Sequence, residues 1–393
     1  MERILRYLSD DRLAGRGSFT PANEEAARFI AGEFSTAGLR PAPGSDSLLA
    51  RFTVNRVIPE SVFVLFNGIP IPPGDLIVST DLERGSRALS DSFPVHRMGD
   101  SFDRGLFRKS DCILLIPRIH ERVFRRYQQS MGRPRVFPGD PRPGILVAIL
   151  TDSANAGSCR VDFRGRTETP SLANVVGVIP GKNPDEIVLF SAHYDHLGIV
   201  REIDGDSIAN GADDNASGTA ALIALAKYFA AQGTPGRTLV FAALAAEEIG
   251  GFGARHLLNG MKPDHIAAMV NLEMLGTVSK FGRRAFWLTG YERSALGAMM
   301  SETLDGSGYK IFPDPYPDEN LFFRSDNAVF ARAGVPAHTI STTRIDIDTV
   351  YHTVNDEFAR LDVGYLTETV RGIALGVRGI VDGRQTPGRI SIK

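Results

Sequence analysis

The chain has 393 residues, 43% of them hydrophobic and 23% charged, with a formal net charge of −2. This balance gives no reason to expect nucleic acid, because no Lys/Arg cluster interleaves with aromatics, and no apolar run approaches a membrane span. Cys112 and Cys159 are the only cysteines, which excludes a thiolate-built zinc site and a disulfide scaffold but not a single bridge. The length allows two domains, or one large α/β domain carrying an insertion. The first residues hold no signal-peptide core, although a leader removed before them is compatible with the pattern.

Residues 21–38 follow the helical period through Ala26, Ala27, Phe29, Ile30 and Phe34, with Gly38 at the C-cap. From 45 to 166 the pattern breaks into short strands (61–66, 112–116, 145–150), one helix near 122–129, and frequent Gly and Pro. This block carries no clustering of acids with histidine and is expected to be an inserted lid or accessory domain. From Leu172 strands and helices alternate: strands at 174–179, 186–191, 238–244, 267–272, 284–288 and 337–340, helices at 215–231, 253–259 and 293–304, and a closing helix at 363–381. Such alternation predicts an α/β fold, with a mixed, mostly parallel central sheet covered by helices on both faces. The main domain is then 1–44 with 167–393, and the smaller β-rich insertion 45–166.

The chemistry gathers at the predicted strand ends. The apolar run Ile187-Val188-Leu189-Phe190 leads into His193-Tyr194-Asp195. His193 and Asp195, two apart, share a face of an extended backbone, so one can bind a cation while the other holds the ring's second N–H. Asp213-Asp214 precedes a helix, where an acid also favours the N-terminus electrostatically. Glu247-Glu248 directly follows the strand 238–244, Glu273 ends another, and Tyr351-His352 lies in a polar loop before the last helix. Each motif alone reads as structural. Several carboxylates converging without Lys or Arg beside them would be strongly unfavourable unless cations or protons neutralised them. Nitrogen and oxygen ligands without thiolates suit zinc, with cobalt or manganese as substitutes.

SAHYDHLG, GADDNASG, AAEEIGGFG, NLEMLG and YHT, in that order, resemble the five motifs of the M28 family of zinc-dependent peptidases, the aminopeptidase and glutamate-carboxypeptidase group. The likeness extends to the opening LAGRG and to SDNAVFARAGVP. It implies a zinc-exopeptidase-like fold and two zinc ions per chain. One would be held by His193, Asp213 and Glu273, the other by Asp213, Glu248 and His352, with Asp213 bridging. It further implies Glu247 as general base, Asp195 as partner of His193, and Tyr351 as the phenol that steadies the oxyanion. Glu273 departs from the family, which commonly has Asp there, and reaches one methylene further. His196 receives no metal role, and Asp326 is expected to support the pocket. The expected activity is peptide hydrolysis by metal-activated water, most of all as an aminopeptidase, with a peptide as the partner and an extracytoplasmic location, since family members are often exported. A single-zinc glutaminyl cyclase and a non-catalytic receptor of the same fold are the competing readings. Residues 311–324, rich in proline and aromatics, either line the substrate pocket or form a plain surface loop.

Overall fold

In the computed structural model, residues 1–391 other than 91, 132, 133 and 155 are described. The chain divides into two compact units, Met1–Phe52 with Leu172–Lys393, and Thr53–Ser171.

The first unit is built on an eight-stranded sheet in the order Leu49–Thr53, Ser171–Ile179, Arg237–Leu244, Asn183–His193, Ile266–Leu272, Ala337–Ser341, Ala285–Leu288, Lys310–Pro313. Arg237–Leu244, Asn183–His193, Ile266–Leu272 and Ala337–Ser341 run parallel to one another. Ser171–Ile179 and Ala285–Leu288 are antiparallel to their inner neighbours. This is the mixed, mostly parallel sheet that the alternating pattern predicts. The central strands read as continuous apolar runs because both faces are covered: every residue from Leu239 to Ala246 is buried. On one face, Val176, Leu189, Val240 and Met269 pack with Phe330 and Val335. On the other, Phe190 stacks on Phe241 with ring centroids 5.1 Å apart, and Phe34 meets Phe241 edge-on.

Helix Pro21–Thr36 starts where Pro21 follows Thr20, whose hydroxyl accepts from the Asn23 N–H at 3.2 Å. The helix predicted from 215 begins at Gly218 instead. Residues Ala212–Ser217 form an irregular turn in which Asp214 and Asn215 leave helical geometry. The helix predicted over 293–304 is a 3-10 turn, Tyr291–Arg293, followed by Leu296–Leu304, and the closing helix breaks at Val377 into Val363–Gly376 and Arg378–Val381.

Among the described residues, the second unit holds two sheets and one α-helix. Asn55–Phe66 pairs with Cys159–Glu168, which also pairs with Arg84–Ala88. The other sheet runs Leu76–Thr80, Ile145–Leu150, Cys112–Ile116, Val95–Arg97. Ile113, Leu115 and Val147 face Val64, Phe66 and Val161, while Leu114, Ile116 and Ala148 pack with Phe124 of helix Glu121–Met131. Cys112 and Cys159 are both free and buried, in different clusters. They do not form the bridge that the sequence leaves open.

Candidate metal centre

Three adjacent parallel strands of the first unit end side by side. Asn183–His193, the middle one, ends on His193 itself. Arg237–Leu244 runs out towards Glu247-Glu248, and Ile266–Leu272 stops one residue before Glu273. The carboxyl edge of a parallel sheet is where loops gather around a ligand. Two backbone devices then aim the acids. Ala246 takes φ 61, and Met274 takes φ 51, conformations that L-residues rarely adopt. Each adjoins an acid of the site, as Ala246 precedes Glu247 and Met274 follows Glu273.

The next element is the turn Ala212–Ser217. Asp356 accepts the main-chain N–H of both Asp213 and Asp214, at 2.9 and 3.0 Å. Asn215 donates to the Leu272 carbonyl and accepts from the Met274 N–H, tying the turn to the strand that carries Glu273. Held this way, the two aspartates point apart. Asp214 presents Oδ1 3.3 Å from His193 Nε2, and Oδ2 3.2 Å from His352 Nε2. Asp213 instead accepts from the Gly276 N–H at 2.7 Å and the Ser217 hydroxyl at 2.9 Å. The expectation that Asp213 is the shared ligand is therefore corrected: both short bonds engage its Oδ1 away from the histidines, neither donor group includes it, and Asp214 stands between the two imidazoles.

Two groups of donor atoms result, His193 with Asp214 and Glu273, and His196 with Asp214 and Glu248, each lying within 4.8 Å of one another. His352 joins the second, 3.3 Å from Glu248 Oε2. His196, given no metal role from sequence, lies with its Nδ1 2.9 Å from Glu248 Oε1. Asp195 also differs from expectation. His193 Nδ1 meets the main-chain carbonyl of Asp195 at 3.1 Å, while the Asp195 carboxylate is 4.0 Å away. That carboxylate accepts from the N–H of Glu247 at 3.0 Å, the N–H of Glu248 at 3.4 Å and the Ser18 hydroxyl at 3.0 Å. It fixes the Glu247-Glu248 turn rather than the imidazole.

Electrostatics mark the cluster as one that needs positive charge. Burial raises Asp195, Glu247 and Glu273, Glu247 most strongly because Glu273, Asp326 and Glu248 surround it. Although burial opposes its charge, Asp214 is held well below the ordinary carboxylate range by His193 and His352. Burial likewise works against the charge of His352, yet Asp214 and Glu248 hold it up at about 10. Even so, His193 Nε2 and His196 Nε2 are buried with no hydrogen-bond partner, and both oxygens of buried Asp326 are equally unpartnered. The orphaned His193 Nε2, facing the Asp214 carboxylate, fits a cation, and nitrogen and oxygen donors without thiolate fit zinc.

Two supports escaped the sequence reading. Asp356, four residues beyond His352 in YHTVND, holds the aspartate turn. Arg16, within the LAGRG opening, is fully buried and donates to the carbonyls of Leu8, Tyr194 (2.7 Å), Asn210 (2.6 Å) and Gly211 (2.9 Å). It ties the His193 strand to the chain entering the aspartate turn. Beside the donors lies a cavity of about 580 Å³, bordered by Glu247, Tyr351 and His352, by Trp287 and Thr289, and by Glu319, Leu321 and Arg324. The last three lie within or at the end of the 311–324 stretch, which settles that part of it as pocket wall. The Tyr351 ring stacks on His352 at 3.8 Å.

The model of peptidase family M28 matches residues 174–376, just over half the chain. A probable zinc metalloprotease of Leptosphaeria maculans is 34% identical over 146 residues, 36% of this chain and 32% of that protein. The chain thus spans about a third of the length of that curated relative. The fold is similar to an aminopeptidase from Aneurinibacillus sp. strain AM-1 (19% identity, TM-score 0.61, 100% of this chain and 95% of that one). It is also similar to a zinc aminopeptidase from Bacillus subtilis (16% identity, TM-score 0.58, 100% and 97%). At these identities the structural likeness speaks for the fold alone. With five motifs in order, a carboxyl-edge cluster of imidazoles and acids, and a family match that spans all five motifs, the chain belongs to peptidase family M28.

Proposed function

We propose that the protein is a zinc-dependent metallo-exopeptidase of the aminopeptidase type, hydrolysing peptide bonds with two zinc ions around Asp214. The observation that carries this is the buried Asp214 carboxylate, whose two oxygens face separate donor groups, one at His193 and one at His352. In this reading His193, Asp214 and Glu273 hold one ion, and Asp214, Glu248 and His352, whose imidazole lies 3.2 and 3.3 Å from those two carboxylates, the other, with His196 orienting Glu248 through its 2.9 Å contact. Bound zinc supplies Lewis acidity, polarising the scissile carbonyl and making water easier to deprotonate.

The chain's own groups do the rest. Glu247 lies outside both donor groups but borders the same cavity, and its buried carboxyl has a strong affinity for a proton. It takes the proton of the attacking water and passes it to the leaving amine. The Asp195 carboxylate fixes the main chain of Glu247 and so keeps the base in register. Tyr351 offers its phenolic O–H to the oxygen on which negative charge develops. The experiment is Glu247→Gln assayed on aminoacyl substrates alongside zinc content. Turnover should fall by at least a hundredfold, on the order of a general base's contribution, with about two zinc ions retained. A variant that keeps most of its activity removes Glu247 from this role, and one zinc per chain with cyclisation of N-terminal glutamine replaces the peptidase reading.

A further inference from the structure

We infer that Arg324 is a specificity-determining residue that receives the free carboxylate of a short peptide, so that di- and tripeptides are preferred over long or C-terminally blocked chains. This rests on the peptidase reading above.

Among the residues bordering the cavity, the acids are Asp214, Glu247, Glu248, Glu273, Glu319 and Asp348, and Arg324 is the one Lys or Arg. The acids at the reacting centre have partners in the two donor groups or serve as the base. Asp348 is engaged, its Oδ1 accepting the N–H groups of Val350 and Tyr351. Arg324 is loosely held: a single 3.5 Å contact from its Nη1 to Glu319 Oε2 pairs it, with both side chains about half exposed (48% and 51%). An exposed one-point pair of that length contributes little, and the rest of the guanidinium fork is left for another anion. A planar fork of donors matches a carboxylate in two-point fashion.

Position supports the same assignment. Arg324 and Tyr351 border the same cavity, and the Tyr351 ring lies on His352. The cation therefore stands on the wall that also carries part of the reacting centre. An ammonium would be repelled by Arg324 and welcomed by the acids, whereas away from the metal ions a carboxylate finds its cationic side chain on the cavity border at Arg324. A peptide with both termini free, short enough to fit about 580 Å³, matches that polarity. Because Arg324 borders the same cavity as the reacting groups, a carboxylate held there belongs to a peptide short enough to lie within that cavity.

The test compares an apolar dipeptide with its C-terminal amide on the zinc-loaded protein. Calorimetry adds binding of the non-hydrolysable reduced-bond forms of both. The wild type should show KM and Kd lower for the acid by on the order of tenfold, the worth of a charge-assisted hydrogen bond, with kcat similar. Arg324→Ala should bring the acid-to-amide ratio to about one, and Arg324→Lys should restore part of it. Equal KM and Kd for acid and amide in the wild type, or an unchanged ratio in Arg324→Ala, overturns the assignment while leaving the peptidase reading intact. Failure of the wild type to cleave either compound sinks both.

Discussion

Asp214→Asn and Asp213→Asn are near-isosteric changes one residue apart with opposite expected outcomes. Asp214→Asn removes the negative charge that stands 3.3 Å from His193 Nε2 and 3.2 Å from His352 Nε2, and sets an amide N–H₂ against one of them. Losing an outer partner of a metal ligand typically costs about 10–100-fold in affinity. Losing the carboxylate common to both donor groups should exceed a hundredfold for at least one ion. Asp213→Asn keeps a carbonyl oxygen for the Gly276 N–H and the Ser217 hydroxyl, and only the long Thr277 contact at 3.5 Å changes character. Burial, with Asp356 nearby, already pushes the Asp213 carboxyl up to about 7, so a neutral side chain there costs little near neutral pH. Its effect on stability should stay within about 1 kcal/mol, with both ions retained. Zinc content after dialysis, and competition against a chromophoric chelator, read the two variants directly. An Asp213→Asn protein stripped of zinc beside an Asp214→Asn protein that keeps two ions would refute this reasoning and restore Asp213 as the bridge.

Two further outcomes follow from buried groups around the centre. Arg16→Lys keeps the charge but loses the fork that serves four carbonyls, and should destabilise the protein by about 2–4 kcal/mol in urea unfolding. A loss under about 0.5 kcal/mol would mean those carbonyls find other donors. His338 is buried, its Nδ1 bonded to the Thr289 carbonyl and its Nε2 to the Ser294 hydroxyl, and burial holds it down at about 4. The folded protein keeps it neutral where the unfolded chain takes up a proton, so its contribution is fully present above about pH 6.5. That contribution is lost as pH falls towards 4, by about 1.4 kcal/mol per pH unit. Unfolding curves of metal-free wild type and His338→Gln should therefore converge with acidification over that window, and parallel curves would remove His338 from the balance.

The sheet and its covering helices were legible because burial on both faces writes itself as apolar runs, and because a run that ends in an acid or histidine lands at the sheet's carboxyl edge. That logic places Glu247, Glu248, His193 and Glu273 at the strand ends, while their roles as ligands and base come from the resemblance to the M28 motifs. The choice between Asp213 and Asp214 was not legible. It depends on Asp356, 143 residues away from Asp213 in the chain, catching two adjacent amides, and on Asn215 bonding to the end of another strand. The two-residue spacing of His193 and Asp195 suggested a carboxylate–imidazole pair, but the carbonyl of Asp195 lies nearer and its carboxylate serves the Glu247-Glu248 turn. In the second unit, individual strands are readable as apolar or alternating runs. The pairing of Asn55–Phe66 with Cys159–Glu168, about a hundred residues apart, carries no local mark.

The same limit explains why the acids are aimed as they are. Ala246, Met274 and His352 take φ of 61, 51 and 60, and none is a glycine whose presence would announce a left-handed turn. Each costs on the order of 1 kcal/mol or more in local preference and persists only where the surroundings over-determine it. Here they do: the Ala246 carbonyl accepts from Gly251 and Phe252, and the Met274 N–H is held by Asn215. All three residues either belong to the cluster or touch an acid of it in sequence. Local preference is therefore overruled at the points where Glu247, Glu273 and His352 must face inwards together, and a reading of local pattern fails first at the residues that the chemistry requires to be out of pattern.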